Sequence, residues 1–137
     1  MNKWDKYFIG IALQTASMSD SQRLKVGAVA VLDRRIVCTG FNGTVSKYGD
    51  DILEDEEGNT KPDVIHAEEN IICQAAIQGK SLLGTTIYIT HNPCRHCSAL
   101  LGQVGVRCVK YLYDYRETSG LLKLKQYEIR VGKLNYE

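Results

Sequence analysis

Residues 85–113, "TTIYITHNPCRHCSALLGQVGVRCVKYLY", decide the fold. The β-branched and aromatic run 85–91 reads as a strand. "NPCRHCSALLGQVG" (92–105) predicts a helix, with Asn92 as its cap and Pro93 in its first turn. "VRCVKYLY" (106–113) reads as a second strand. A strand, a crossover helix and a strand make a parallel unit. Upstream, Trp4, Tyr7, Phe8, Ile11, Ala12 and Thr15 recur at helical spacing and predict a helix over 4–18. "VGAVAVL" (26–32) and "RIVCTGF" (35–41) predict a hairpin across a short "DRR" turn. A helix over 66–78 stops at Gly79, and a short helix (118–125) and a strand (127–132) end the pattern. The order α-β-β-α-β-α-β-α-β predicts an α/β fold: a mostly parallel sheet with helices on both faces and an antiparallel hairpin at its edge.

The 137 residues are sized for a single domain, 1–137, with a real core. A net charge of +1 and a pI of about 7.6 point to neither a polynucleotide nor a membrane surface. No apolar run approaches the length of a membrane span. The start, "MNKWDKYFIGIALQTASMSD", is amphipathic and does not read as a signal peptide. Five cysteines, an odd number in a chain that needs no staples, favour a reducing, cytoplasmic setting and metal or thiol chemistry.

The chemistry gathers at two predicted helix starts. In "VIHAEENII" (64–72), Ile65, Glu68, Ile72, Ala75 and Ala76 form one stripe, so Glu68 points with the apolar face toward the sheet. A carboxylate aimed at a core is either satisfied by a partner or poised for proton transfer. Glu69 falls toward solvent and reads as a surface group. His66 stands where the chain enters the helix. In "NPCRHC", Cys94 and Cys97 lie three apart at a helix start, where the dipole favours thiolates. Two thiolates and one imidazole leave a fourth zinc position for water, the pattern of a catalytic site. A structural site would need a fourth ligand. His91, at the end of the preceding strand, is the better rival, since His96 should point elsewhere on its helix. A zinc-stabilised binding module therefore stays open beside an enzyme.

H-x-E followed by P-C-x-x-C at the next helix is the signature of zinc-dependent nucleobase deaminases. With "VGAVAV", "GFNG", "HAEEN", "IYITHNPCRHCSALL" and "YDYRE" in order over roughly 20–117, the chain resembles the cytidine/deoxycytidylate deaminase superfamily. Within it, the chain is most similar to the deoxycytidylate (dCMP) deaminases. The resemblance implies a three-layer, five-stranded mixed sheet between helices. It also implies Zn2+ held by His66, Cys94 and Cys97, with Glu68 as proton shuttle. The implied reaction is hydrolytic deamination of dCMP to dUMP for thymidylate supply. The superfamily's dCTP, cytidine and tRNA-adenosine deaminases share the zinc motif and are the alternatives.

Asn42 resembles the residue that holds the deoxyribose, although Asn-Gly alone is a turn signal. Arg23 and Lys25 before the first strand, and Arg116, are the candidate phosphate contacts, and "YDYRE", with Tyr115 and Arg116, resembles a family motif that closes over the nucleotide. Ala67 and Asn92 flank the zinc motifs and complete the substrate set. The resemblance further implies effector binding of dCTP (activation) and dTTP (inhibition) near Gly40, Phe41, Asn42, Gly43 and Asn70, and a homohexamer. Here the family's Gly-Tyr-Asn-Gly tyrosine is Phe41, which lacks the hydroxyl. The insertion 44–63 favours the nucleotide branch over the tRNA branch. It contains no Cys or His, so one zinc per subunit is expected. Seven Asp/Glu over 50–63 make it a poor phosphate binder, suited to solvent, to a neighbour or to Mg2+ accompanying a triphosphate. Cys38 and Cys73 read as small core residues, Tyr111 and Tyr113 as packing residues.

Overall fold

The computed structural model describes residues 1–46, 48–115 and 117–136. Nine elements follow the expected order: α1 (Lys3–Ala16), β1 (Gly27–Leu32), β2 (Arg35–Phe41), α2 (Ala67–Ile77), β3 (Thr86–His91), α3 (Arg95–Gln103), β4 (Cys108–Tyr113), α4 (Ser119–Gln126) and β5 (Arg130–Lys133). They build one five-stranded sheet in the order β2-β1-β3-β4-β5. β1 pairs antiparallel with β2 and β3, while β3–β4 and β4–β5 are parallel. Asp33 and Arg34, both with positive φ, make the tight β1–β2 turn whose twist suits a hairpin.

Strand alternation sorts the side chains into two layers. Ala28, Ala30, Ile87, Ile89, Val109 and Tyr111 face one way, onto α2, α3 and α4 through Ile71, Ala75, Leu101 and Leu124. Val29, Val31, Tyr88 and Leu112 face the other way, onto Phe8, Ile9 and Ala12 of α1. The sheet is thus sandwiched between helices on both faces, the mixed α/β architecture expected.

Several local expectations are corrected. α3 starts at Arg95, with Cys94 rather than Asn92 as its cap. A proline disfavours the helical region for the residue before it, so Pro93 keeps Asn92 out of the helix. α1 ends at Ala16, two residues early. The buried face of α2 is Ala67, Glu68, Ile71 and Ala75, a rotation away from the expected stripe that leaves Ala76 exposed. Cys73 is exposed on that helix, not in the core, whereas Cys38 is buried. Tyr111 is core, but Tyr113 is 50% exposed.

Candidate active site

The parallel strands β3 and β4 end on one side of the sheet, where β1 begins and β2 ends. The N-termini of α2 and α3 converge there, the usual place for a site in open α/β sheets. A cavity of about 400 Å³ opens between them. Its walls come from the segment before β1 (Ser21, Arg23, Leu24, Val26), from Asn42, from Thr60 of the insertion and Val64 just after it, from the starts of α2 and α3, and from the ends of β3 and β4.

His66 is the N-cap residue of α2. Its backbone N–H donates to Glu69 Oε1 at 2.8 Å. Glu69, read from sequence as a bystander, therefore fixes the residue that carries the imidazole; glutamate three residues after a cap is the signal that marks this. Across the cavity wall, His66 Nδ1 lies 3.3 Å from Cys97 Sγ and 3.9 Å from Cys94 Sγ. The three ligand atoms all lie within 4.8 Å of one another, the only such group of three His, Cys, Asp or Glu among the described residues. His91 lines the cavity but is outside the group, and His96 stands 3.7 Å from Glu69 Oε2 on the surface.

The cluster's electrostatics show why it fits a cation. A hydrogen bond from Cys97, and then His66, holds the Cys94 thiol down at about 3. Cys97 is pushed up by donating to Cys94, and also by burial. The Cys94 contact raises His66 to about 9. The Cys94 thiolate is thus shared by protons on Cys97 and His66, at the point where a divalent ion would sit. Two sulfurs and one imidazole nitrogen suit zinc.

Glu68 is 5% exposed and lines the same cavity. Burial raises its carboxyl to about 7, against the opposing pull of its own backbone N–H and of His66. Asn92 clamps the chain after β4: its Nδ2 donates to Glu117 O at 3.0 Å, and its Oδ1 accepts from Tyr115 N–H. Asn42 Oδ1 accepts from Val26 N–H and its Nδ2 donates to Leu24 O, each at 2.9 Å. Thr90 Oγ1 accepts from Gly27 N–H at 3.2 Å and meets His91 Nδ1 at 2.9 Å. This contact fixes the orientation of the His91 ring against the buried Thr90. Burial also lowers the His91 pKa, which keeps that ring neutral.

The structure brings Arg23, Asn42, Ala67, Asn92 and Tyr115 together around the cavity. Lys25 is exposed and outside it, and Arg116 lies outside the described residues. Gly40 and Asn70 serve packing of β2 on α2. A Cβ on Gly40 would stand 2.9 Å from Ile71 N, and Asn70 Nδ2 donates to Phe41 O at 2.6 Å. Phe41 and Gly43 are partly buried beside them, and the pair Gly43 and Ile65 pinches the insertion closed at its base.

Fold and site together define a metal-dependent hydrolytic centre: three ligands on two helix starts, a buried carboxyl beside them and a cavity for a small substrate. Residues 2–113 match the family model for the cytidine and deoxycytidylate deaminase zinc-binding region. The chain belongs to the cytidine and deoxycytidylate deaminase family and carries its zinc-binding domain. It is 36% identical over 121 residues to a deoxycytidylate deaminase of Mycobacterium phage D29, covering 79% of this chain and 93% of that one. The human deoxycytidylate deaminase is 30% identical over 119 residues, covering 82% of this chain and 66% of the longer human protein. A crystal structure of dCMP deaminase from cyanophage S-TIM5, in complex with dCMP and dUMP, superposes with a TM-score of 0.94. Its identity is 35%, over 98% of this chain and 99% of that one.

Proposed function

We propose that this protein deaminates dCMP to dUMP, consuming one water and releasing one ammonia, in thymidylate precursor supply. The observation that carries the reading is the convergence of His66, Cys94 and Cys97 at the wall of a cavity into which the buried Glu68 also opens. The likeness of the whole chain to a phage enzyme solved with dCMP and dUMP supports the choice of substrate.

His66 Nδ1 and the two thiolates would hold one zinc per subunit. When bound, zinc supplies Lewis-acid activation of a water molecule. Glu68 moves the protons. Its carboxylate takes one from the water and delivers it to N3 of the cytosine ring, then serves the departing ammonia at C4. Its burial suits both duties, because desolvation brings a carboxyl toward neutral pH. The Ala67 backbone at the helix start offers its N–H to the base. Asn42 and Asn92 fix the loops that enclose the sugar. Arg23 and Tyr115, which line the cavity, face the phosphate, and the sequence motif adds Arg116 to the same role.

Five free cysteines suit a reducing, cytoplasmic setting. No described helix is long and apolar enough to cross a membrane. A homo-oligomer, a hexamer by resemblance, and regulation by dCTP and dTTP with Mg2+ belong to the same proposal. The test is ammonia release from dCMP, dCTP, deoxycytidine, cytidine and a tRNA anticodon stem, with and without dCTP or dTTP. The highest kcat/KM is expected on dCMP; a higher value on any other member of the panel contradicts the assignment.

A further inference from the structure

The acidic insertion is built into the site rather than laid over it. Leu53 is 1% exposed, and Lys61 N–H donates to Leu53 O at 2.8 Å. Glu54 bridges Thr60 across a tight turn, in which Asp55 Oδ1 accepts from the N–H groups of Glu57 and Asn59. This turn aims Glu54 away from solvent duty and onto the 21–23 segment. Glu54 Oε2 accepts from Ser21 Oγ at 2.8 Å and from Arg23 N–H at 3.4 Å, and Oε1 accepts from Gln22 N–H at 3.2 Å. Ser21, itself buried, passes the restraint on by accepting from Leu24 N–H at 3.1 Å. From the other side, Asn42 holds Leu24 O and Val26 N–H. The segment is thus clamped at both ends, and between the clamps stands Arg23, which lines the cavity. Glu54 takes the Arg23 backbone and not its guanidinium; among the described residues Arg23 has no ion-pair partner.

We infer that Glu54 is a positioning residue that holds Arg23 toward the cavity and thereby sets the preference for a phosphorylated over an unphosphorylated nucleoside. The inference rests on the reading of Arg23 as a phosphate contact. Its sign separates it from simple electrostatics. A carboxylate near a phosphate repels it, so removing the charge would improve dCMP binding if Glu54 acted through charge alone. If Glu54 acts by positioning, the same change weakens binding.

The experiment compares Glu54→Gln, Arg23→Ala and the double variant, as zinc-loaded protein, on dCMP and on deoxycytidine. For Glu54→Gln, the ratio of kcat/KM on dCMP to that on deoxycytidine is expected to fall about tenfold, with the loss in KM for dCMP. Arg23→Ala should lower the ratio at least as far, and the double variant no further, because neighbours acting through one contact are not additive. Ser21→Ala, which deletes the short contact from the other side, should shift the ratio in the same direction if Glu54→Gln folds poorly. A rise in the ratio, an equal fall on both substrates or full additivity in the double variant overturns the inference. If Arg23→Ala leaves the ratio unchanged, the phosphate reading of Arg23 falls first. If Arg23→Ala lowers it and Glu54→Gln does not, the positioning role alone falls.

Discussion

At the scale of single residues, the site depends on side chains whose partners lie far away in sequence. His66 meets Cys94 and Cys97 only because two helix starts converge. Cys97→Ser replaces a buried thiolate with a hydroxyl that zinc binds far less well. Bound zinc, measured by metal analysis after dialysis, should fall from one equivalent toward zero, with activity falling in step. Retention of a full equivalent would show that Cys97 is not a ligand. The clustering of His66, Cys94 and Cys97 and the burial of Glu68 agree with what the H-x-E and P-C-x-x-C signature implies. Glu69 was not legible in the sequence, since its hydrogen bond to the His66 backbone looks like any surface carboxylate until the cap is placed. Lys25 reads as site-facing because it precedes the first strand, yet it is exposed and stands outside the cavity that Arg23 lines.

At the scale of elements, close approaches of backbone position the ligands. A Cβ on Gly120 would stand 2.2 Å from Pro93 O and 2.8 Å from Cys94 C, so the start of α4 lies directly on the turn that carries Cys94. Gly120→Ala should push that turn aside and destabilise the fold by about 1–3 kcal/mol. Zinc affinity should fall with it; urea denaturation and a competitive chelator titration measure the two. Wild-type values in both would mean that α4 yields without moving the turn. The strand–helix–strand unit was legible from its periodicities. The start of α3 was not, because Asn92 and Pro93 resemble a helix cap while Asn92 is spent on Tyr115 and Glu117. The insertion was legible only in part: most of its described residues are exposed, as expected, but its two inward contacts were not foreseen. Its charge count describes solvent-facing Asp and Glu, whereas Leu53 and Glu54 do the inward work.

At the scale of the whole molecule, a largely buried polar triad ties α1 to the sheet. Asp5 Oδ1 on α1 accepts from Tyr88 Oη of β3 at 2.6 Å and from Lys110 Nζ of β4 at 2.8 Å. Burial pushes the Asp5 carboxyl up, but the Lys110 and Tyr88 hydrogen bonds together outweigh it and hold it below its ordinary 3.8. A depressed folded-state pKa means that the stabilisation is fully present above the unfolded value and is lost as pH falls through the folded one. Asp5→Asn should cost about 1–3 kcal/mol at neutral pH. The gap to wild type should close below pH 3.8, as the wild-type carboxyl protonates; urea denaturation across pH measures it. A gap independent of pH would place the effect in packing rather than charge. Nothing local in the sequence pairs residues 5 and 110, so this contact was not legible, although the three-layer architecture was. The central claim is that zinc held by His66, Cys94 and Cys97 and a proton carried by Glu68 together deaminate dCMP. The most direct measurement is ammonia release from dCMP by wild type and by Glu68→Gln, each with its zinc content determined. The prediction is turnover by wild type and a loss of about 10²–10⁴-fold in Glu68→Gln at undiminished zinc. Activity of the variant within tenfold of wild type would contradict it.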